Sequence, residues 1–132
     1  MPRRLVRLKT RADFLRVAAS GRRAVRPGLM LQAASPSSRI DDASAIGVGF
    51  TASRKVGNAV IRNRAKRRLR EAARLLLPLH GEPGHDYVLI ARAGTPTRAW
   101  PRLLDDVKSA LISLAAGEGE IRPPRRRPGA PA

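Results

Sequence analysis

Apolar residues recur at helical spacing in three stretches of the chain and alternate in others. In "TRADFLRVAAS" (10–20), Phe14, Val17 and Ala18 share one helical face, with Thr10 as N-cap and Gly21 as stop. "LMLQAA" (29–34) reads as a strand. In "AIGVGFTAS" (45–53), Ile46, Val48 and Phe50 alternate with Gly47, Gly49 and Thr51. One face of that strand is core; the other is nearly bare, so something can approach its backbone closely. From about 57 to 77, Ile61, Ala65, Leu69, Ala72 and Leu76 form an apolar stripe about 80° wide on a long helix, which Pro78 should end. "DYVLIARA" (86–93) has apolar residues on both faces and reads as an interior strand. Leu103, Val107, Leu111 and Leu114 predict a last helix within 98–115, packed on the sheet. Residues 35–44, 80–85 and 94–97 carry turn and loop compositions.

The order is helix, two or three strands, helix, strand, helix: an α+β domain with helices against a mostly antiparallel sheet. If the strands at 45–53 and 86–93 are parallel neighbours, the long helix is their crossover. Residues 1–9 are a basic lead-in and 10–116 the domain. The Pro/Arg/Gly-rich residues 117–132 form an expected disordered tail.

Charge changes this picture more than composition does. The 132 residues carry 27 Lys and Arg against 10 Asp and Glu, a formal net charge of +17. Such an imbalance opposes a compact monomer and favours a polyanionic partner. A GC-rich genome would explain why Arg outnumbers Lys, but not why acids are so few. The charge concentrates in "RNRAKRRLRE" (62–71), where like charges three and four apart repel along a helix. A salt-bridged solvent face needs acids nearby, and the only acid between 54 and 80 is Glu71. Arg62, Arg64, Arg67 and Arg70 can grip phosphates through two N–H groups each, Lys66 adds a point charge, and Asn63 can bond a base edge or a 2′-hydroxyl. Arg54, Lys55 and Asn58 lie just before the helix, where free backbone N–H groups also favour an anion. Phe14 has two readings, a core residue or a stacking platform for an unpaired base with Arg11 and Arg16 alongside.

Catalytic chemistry is poorly supported. His80 and His85 sit in a turn without a third ligand. The adjacent acid pairs Asp41–Asp42 and Asp105–Asp106 diverge on any regular backbone. No phosphate-binding glycine loop of the usual spacing occurs, and no nucleophile–base set or metal site is expected. The chain has no cysteine, which excludes disulfides and thiolate metal sites and fits a reducing cytoplasm. No apolar run approaches the ~18 residues of a membrane span, and "MPRRLVRLKTR" lacks the apolar core of a secretory signal.

"ASRKVGNAVIRNRAKRRLRE" (52–71) closely resembles the signature of the bacterial ribonuclease P protein subunit. "RLKTRADFLRV" (7–17) resembles the opening of that family and "DYVLIAR" (86–92) its last strand, so the likeness runs over residues 7–115. The resemblance implies an α-β-β-β-α-β-α fold like the second domain of ribosomal protein S5, with a four-stranded sheet and a left-handed β-α-β crossover. It implies binding to a large catalytic RNA, which itself hydrolyses precursor tRNA with Mg²⁺ to remove the 5′ leader, while the protein needs no cofactor. It also implies that the protein, a monomer in a 1:1 complex, holds the single-stranded leader between the first helix and the sheet and broadens the range of substrates. Carried onto this chain, Phe14 matches the family's leader-cleft aromatic. Arg54, Lys55 and Asn58 match the strand end and turn, and Arg62, Asn63, Arg64, Lys66, Arg67 and Arg70 match the motif helix. Two positions depart from the pattern. Ala18 stands where many members carry a second aromatic, and Gln32 where a tyrosine is common.

Three other readings stand beside this one: a structural, ribosomal-type RNA-binding protein, a DNA-binding helix in a groove, and a basic membrane-surface helix. The narrow apolar stripe under the cations argues for a core partner and against the last of these.

Overall fold

The computed structural model describes residues 4–34, 44–117 and the backbone of 120–121. Six strands form one sheet: β1 (Leu5–Arg7), β2 (Arg22–Arg26), β3 (Leu29–Ala34), β4 (Ile46–Thr51), β5 (Asp86–Ala91) and the two-residue β6 (Glu120–Ile121). Three helices accompany them: α1 (Arg11–Ala19), α2 (Ala59–His80) and α3 (Trp100–Ala115). The strand order is β1-β4-β5-β3-β2-β6. Both β1–β4 and β4–β5 are parallel, whereas β5–β3, β3–β2 and β2–β6 are antiparallel. The long helix is thus the crossover between parallel neighbours β4 and β5.

The expected four-stranded count is corrected by two marginal strands. β1 lies in the supposed lead-in, where "LVR" is too short to show a period, and it is held by Ile46 N–H to Arg4 C=O and Leu8 N–H to Val48 C=O, each 2.9 Å. β6 is two residues of the supposed disordered tail, paired with Arg22 and Arg23. The rest of that tail, apart from Gly117, and most of the loop expected at 35–44, lie outside the described residues. β2 also escaped a residue-level reading, because "RRAVR" has one buried position, Ala24, among half-buried arginines.

Alternation divides the sheet. Ile46, Val48, Leu29, Leu31, Ala33, Tyr87, Leu89 and Ala91 face α2 and α3 and form the main core with Ala65, Leu69, Leu77, Leu103, Val107 and Leu111. A smaller cluster on the opposite face joins Leu8, Val17, Ala34 and Val88 to the half-buried Phe14 and Ile90 under α1. α2 runs to His80, three residues past the expected end, with Pro78 inside its last turn. Proline there forfeits one backbone donor near a terminus, and Gly81 N–H closes the turn on Leu77 C=O at 2.8 Å.

β4 is not bare on its second face. A Cβ at Gly49 would lie 2.6 Å from the Phe14 ring, and one at Gly47 would run into the Asp86 carboxylate. What approaches the backbone so closely is the protein itself: α1 and β5 occupy the space.

Candidate nucleic-acid interface

The start of α2 is built by three local devices. Arg54–Val56 form a 3₁₀ turn after β4. Gly57 follows with φ of 151°, where a side chain is strained, and a Cβ there would also lie 2.8 Å from the Ile61 side chain. Asn58 is the N-cap, its Oδ1 accepting the Ile61 N–H at 3.0 Å. The Oδ1 of Asn58, a residue expected to bind RNA, is therefore committed to the helix, and its amide donors stay free.

The buried residues of α2 are Ala65, Leu69, Ala72, Ala73 and Leu77. Ala73 and Leu77 widen the stripe inferred from sequence, because the helix packs on both the sheet and α3. At about 100° per residue Arg62 falls inside this wider arc. It is half-buried, and its Nε is enclosed with no hydrogen-bond partner. Beside it opens a pocket of about 220 Å³ lined by Ala52, Ala59, Arg62, Asn63 and Lys66. A buried N–H without an acceptor is costly, and a pocket of two cations and an amide is chemically suited to an anion that supplies one.

Arg54, Lys55, Asn63, Arg64 and Arg67 are exposed. Among the described residues, no side-chain hydrogen bond or ion pair occupies these five, nor Arg62 or Lys66. Arg70 lies over the Phe50 ring, 5.8 Å from its centroid, and so is partly held by a cation–π contact. Arg68, the remaining cation of the motif, and Arg74, one turn past its end, have other work. Arg74 pairs with Glu71, whose carboxyl the Arg74 hydrogen bond holds below the usual range. Arg68 donates to Thr95 C=O at 2.5 Å and to Arg98 C=O, and stacks near Trp100. Its place on the helical wheel, beside Ile61 at the edge of the stripe, was the signal that it points inward. The site thus separates free cations from structural ones within one basic run.

On the other side of the sheet Phe14 is half-buried over Gly49, both packed and partly open. Next to it the row Thr51, Ile90, Met30 and Val25 is half-buried along the same face. Arg11 is exposed with no partner among the described residues, whereas Arg16 pairs with the buried Asp86. Ala52 follows the end of β4, three residues after Gly49, so about 10 Å separates the Phe14 seat from the α2 pocket. No group of three or more His, Cys, Asp or Glu among the described residues could hold a metal, and no helix there is long and apolar enough to cross a membrane.

A family model described as Ribonuclease P matches residues 1–115. The ribonuclease P protein component of Caulobacter vibrioides is 57% identical, over 94% of this chain and 82% of its own length. That of Paramagnetospirillum magneticum is 53% identical, over 88% of this chain and 87% of its own. Among solved structures, the RNase P protein of Staphylococcus aureus superposes with a TM-score of 0.67 at 25% identity, covering 82% of this chain and 94% of that one. The RNase P protein from Thermotoga maritima does so with a TM-score of 0.62 at 23% identity, covering 79% and 93%, a likeness of fold.

Proposed function

The chain belongs to the ribonuclease P protein family, and on that premise we propose that it is the protein subunit of a ribonuclease P holoenzyme. In this reading it binds a catalytic RNA through α2 and the turn before it, and binds the single-stranded 5′ leader of precursor tRNA between α1 and the sheet. The RNA, with Mg²⁺, hydrolyses the phosphodiester; the protein contributes affinity and position, widens the range of precursors accepted, and needs no cofactor of its own. A 1:1 complex, a cytoplasmic location, a left-handed β4-α2-β5 crossover and a likeness to ribosomal protein S5 belong to the same reading.

The observation that carries it is the row of seven polar side chains, Arg54, Lys55, Arg62, Asn63, Arg64, Lys66 and Arg67, left without intramolecular partners among the described residues. Six unpaired cations on one helix and its lead-in repel one another. Phosphates relieve that repulsion and release counterions. The enclosed Arg62 Nε and its pocket offer a seat for one of them. Phe14, half-buried over Gly49 on the same face of the sheet as Ile90, Met30 and Val25, supplies a surface on which an unpaired base can stack.

The test is cleavage of a precursor tRNA by the cognate catalytic RNA at low Mg²⁺, with and without the protein. The protein alone should cleave nothing, and its addition to the RNA should raise the rate and favour precursor over mature tRNA. Cleavage by RNA-free protein would refute the reading. Tight binding to ribosomal RNA with no effect on the catalytic RNA would favour a ribosomal-type protein instead.

A further inference from the structure

Arg16 stood beside Phe14 in sequence as a candidate contact for the leader, but its guanidinium is engaged within the fold. It pairs with Oδ2 of Asp86, which is fully buried at the start of β5, 70 residues away in the chain. Its second carboxylate neighbour is Asp13, one turn back on α1, at 3.6 Å. The other oxygen of Asp86 lies against the backbone of β4, where a Cβ at Gly47 would collide with it. Two residues on, Gly49 receives the Phe14 ring in the same way. Two glycines on one face of β4 therefore make room for the Asp86 carboxylate that Arg16 meets and for the Phe14 ring, beside the contacts of Val17 with Ala34 and Val88 and of Ser20 Oγ, which donates to Ala33 C=O.

α1 needs such anchors. It has nine residues, too few to be stable in isolation, and Val17 is its only fully buried residue. A carboxylate taken wholly out of water is costly unless a cation accompanies it. If a leader phosphate drew Arg16 away, Asp86 would be left buried without that cation.

We propose that the Arg16–Asp86 pair is the latch that seats α1 on the sheet and holds the Phe14 ring at the cleft, so that Arg16 is a positioning residue and not a phosphate contact. The consequence for leader binding rests on the function proposed above; the latch itself does not.

Hydrogen exchange on the full chain bound to its catalytic RNA tests the latch directly. Arg16→Met keeps the aliphatic stem and removes the charge. Exchange of the α1 amides should then quicken by about tenfold or more while α2 and β5 stay protected, and Arg16→Lys should restore much of the protection. Unchanged α1 exchange in Arg16→Met would overturn the proposal. Equilibrium binding of leader-bearing precursor and of mature tRNA by the holoenzyme then separates positioning from contact. If Phe14 stacks a base, Phe14→Ala should lose roughly 5- to 150-fold of the preference for precursor. Arg16→Met should lose part of the same preference, the double variant should lose no more than Phe14→Ala alone, and the salt slope should not change. A drop of about 0.7 in log–log salt slope, with additive losses, would make Arg16 a phosphate contact and refute the latch's positioning role. Full preference retained in Phe14→Ala would instead refute leader stacking, leaving the exchange result to decide the latch.

Discussion

At the scale of single residues, identical side chains in one motif have opposite fates. Arg64 and Arg67 are exposed and unpaired, whereas Arg68 is spent on two backbone carbonyls that hold the segment before α3. Arg68→Ala should therefore behave as a stability variant. Thr95 and Arg98 carbonyls lose a charged donor, an expected loss of about 1–3 kcal/mol in thermal or denaturant unfolding, with the salt dependence of RNA binding unaltered. Phe14 carries the complementary prediction. If it stacks a base, Phe14→Ala should weaken precursor binding by ~1–3 kcal/mol and mature tRNA binding little; equal losses for both would mark it as a packing residue alone. The free cations were legible in sequence from the scarcity of acids around them. The diversion of Arg16 was not, because its partner Asp86 is distant in sequence and reads there only as the polar first residue of a strand.

At the scale of elements, the period of apolar residues sufficed for the three helices and the strand β4, and apolar runs for β3 and β5. It failed where an element buries too little to show a period, as in β1, β2 and β6. The Gly-rich face of β4 was correctly read as a place of close approach, but pattern alone could not say that the visitor would be α1. Asn58 shows how a motif residue serves two levels at once, since its place before the basic helix is also the N-cap position. Asn58→Ala should cost about 1 kcal/mol of stability, and Asn58→Asp should keep the cap while adding a negative charge one turn before Arg62. A variant that folds as well as the parent yet binds RNA more weakly would separate the two roles. Tyr87 gives a pH test of the β4–β5 layer. Burial raises its phenol above the usual value, partly offset by the hydrogen bond it accepts from Glu82 N–H. A raised acid resists ionisation in the fold, so its contribution is complete below about pH 10, the usual tyrosine value, and is lost as pH rises beyond it. Tyr87→Phe should flatten that alkaline loss of stability.

At the scale of the whole molecule, the net charge of +17 sets two salt effects of opposite sign. Screening relieves self-repulsion, so added salt should raise the melting temperature of the free protein. The same salt should weaken RNA binding by competing with counterion release. The sheet separates the two candidate surfaces, α2 and its cations on one side, Phe14 and the apolar strip on the other, yet β4 brings them within about 10 Å. One strand and its two flanking helices could thus present a structured RNA and an unpaired strand to each other.

The most direct test of this division of labour is the log–log salt dependence of affinity for the catalytic RNA, measured for the parent chain, the Arg64→Ala/Arg67→Ala variant and Arg74→Ala. The double variant should bind more weakly with a slope shallower by about two, one per lost phosphate contact, and Arg74→Ala, whose partner is Glu71, should change it little. A double variant with the parent's slope would show that the free cations of α2 face solvent, and would contradict the account.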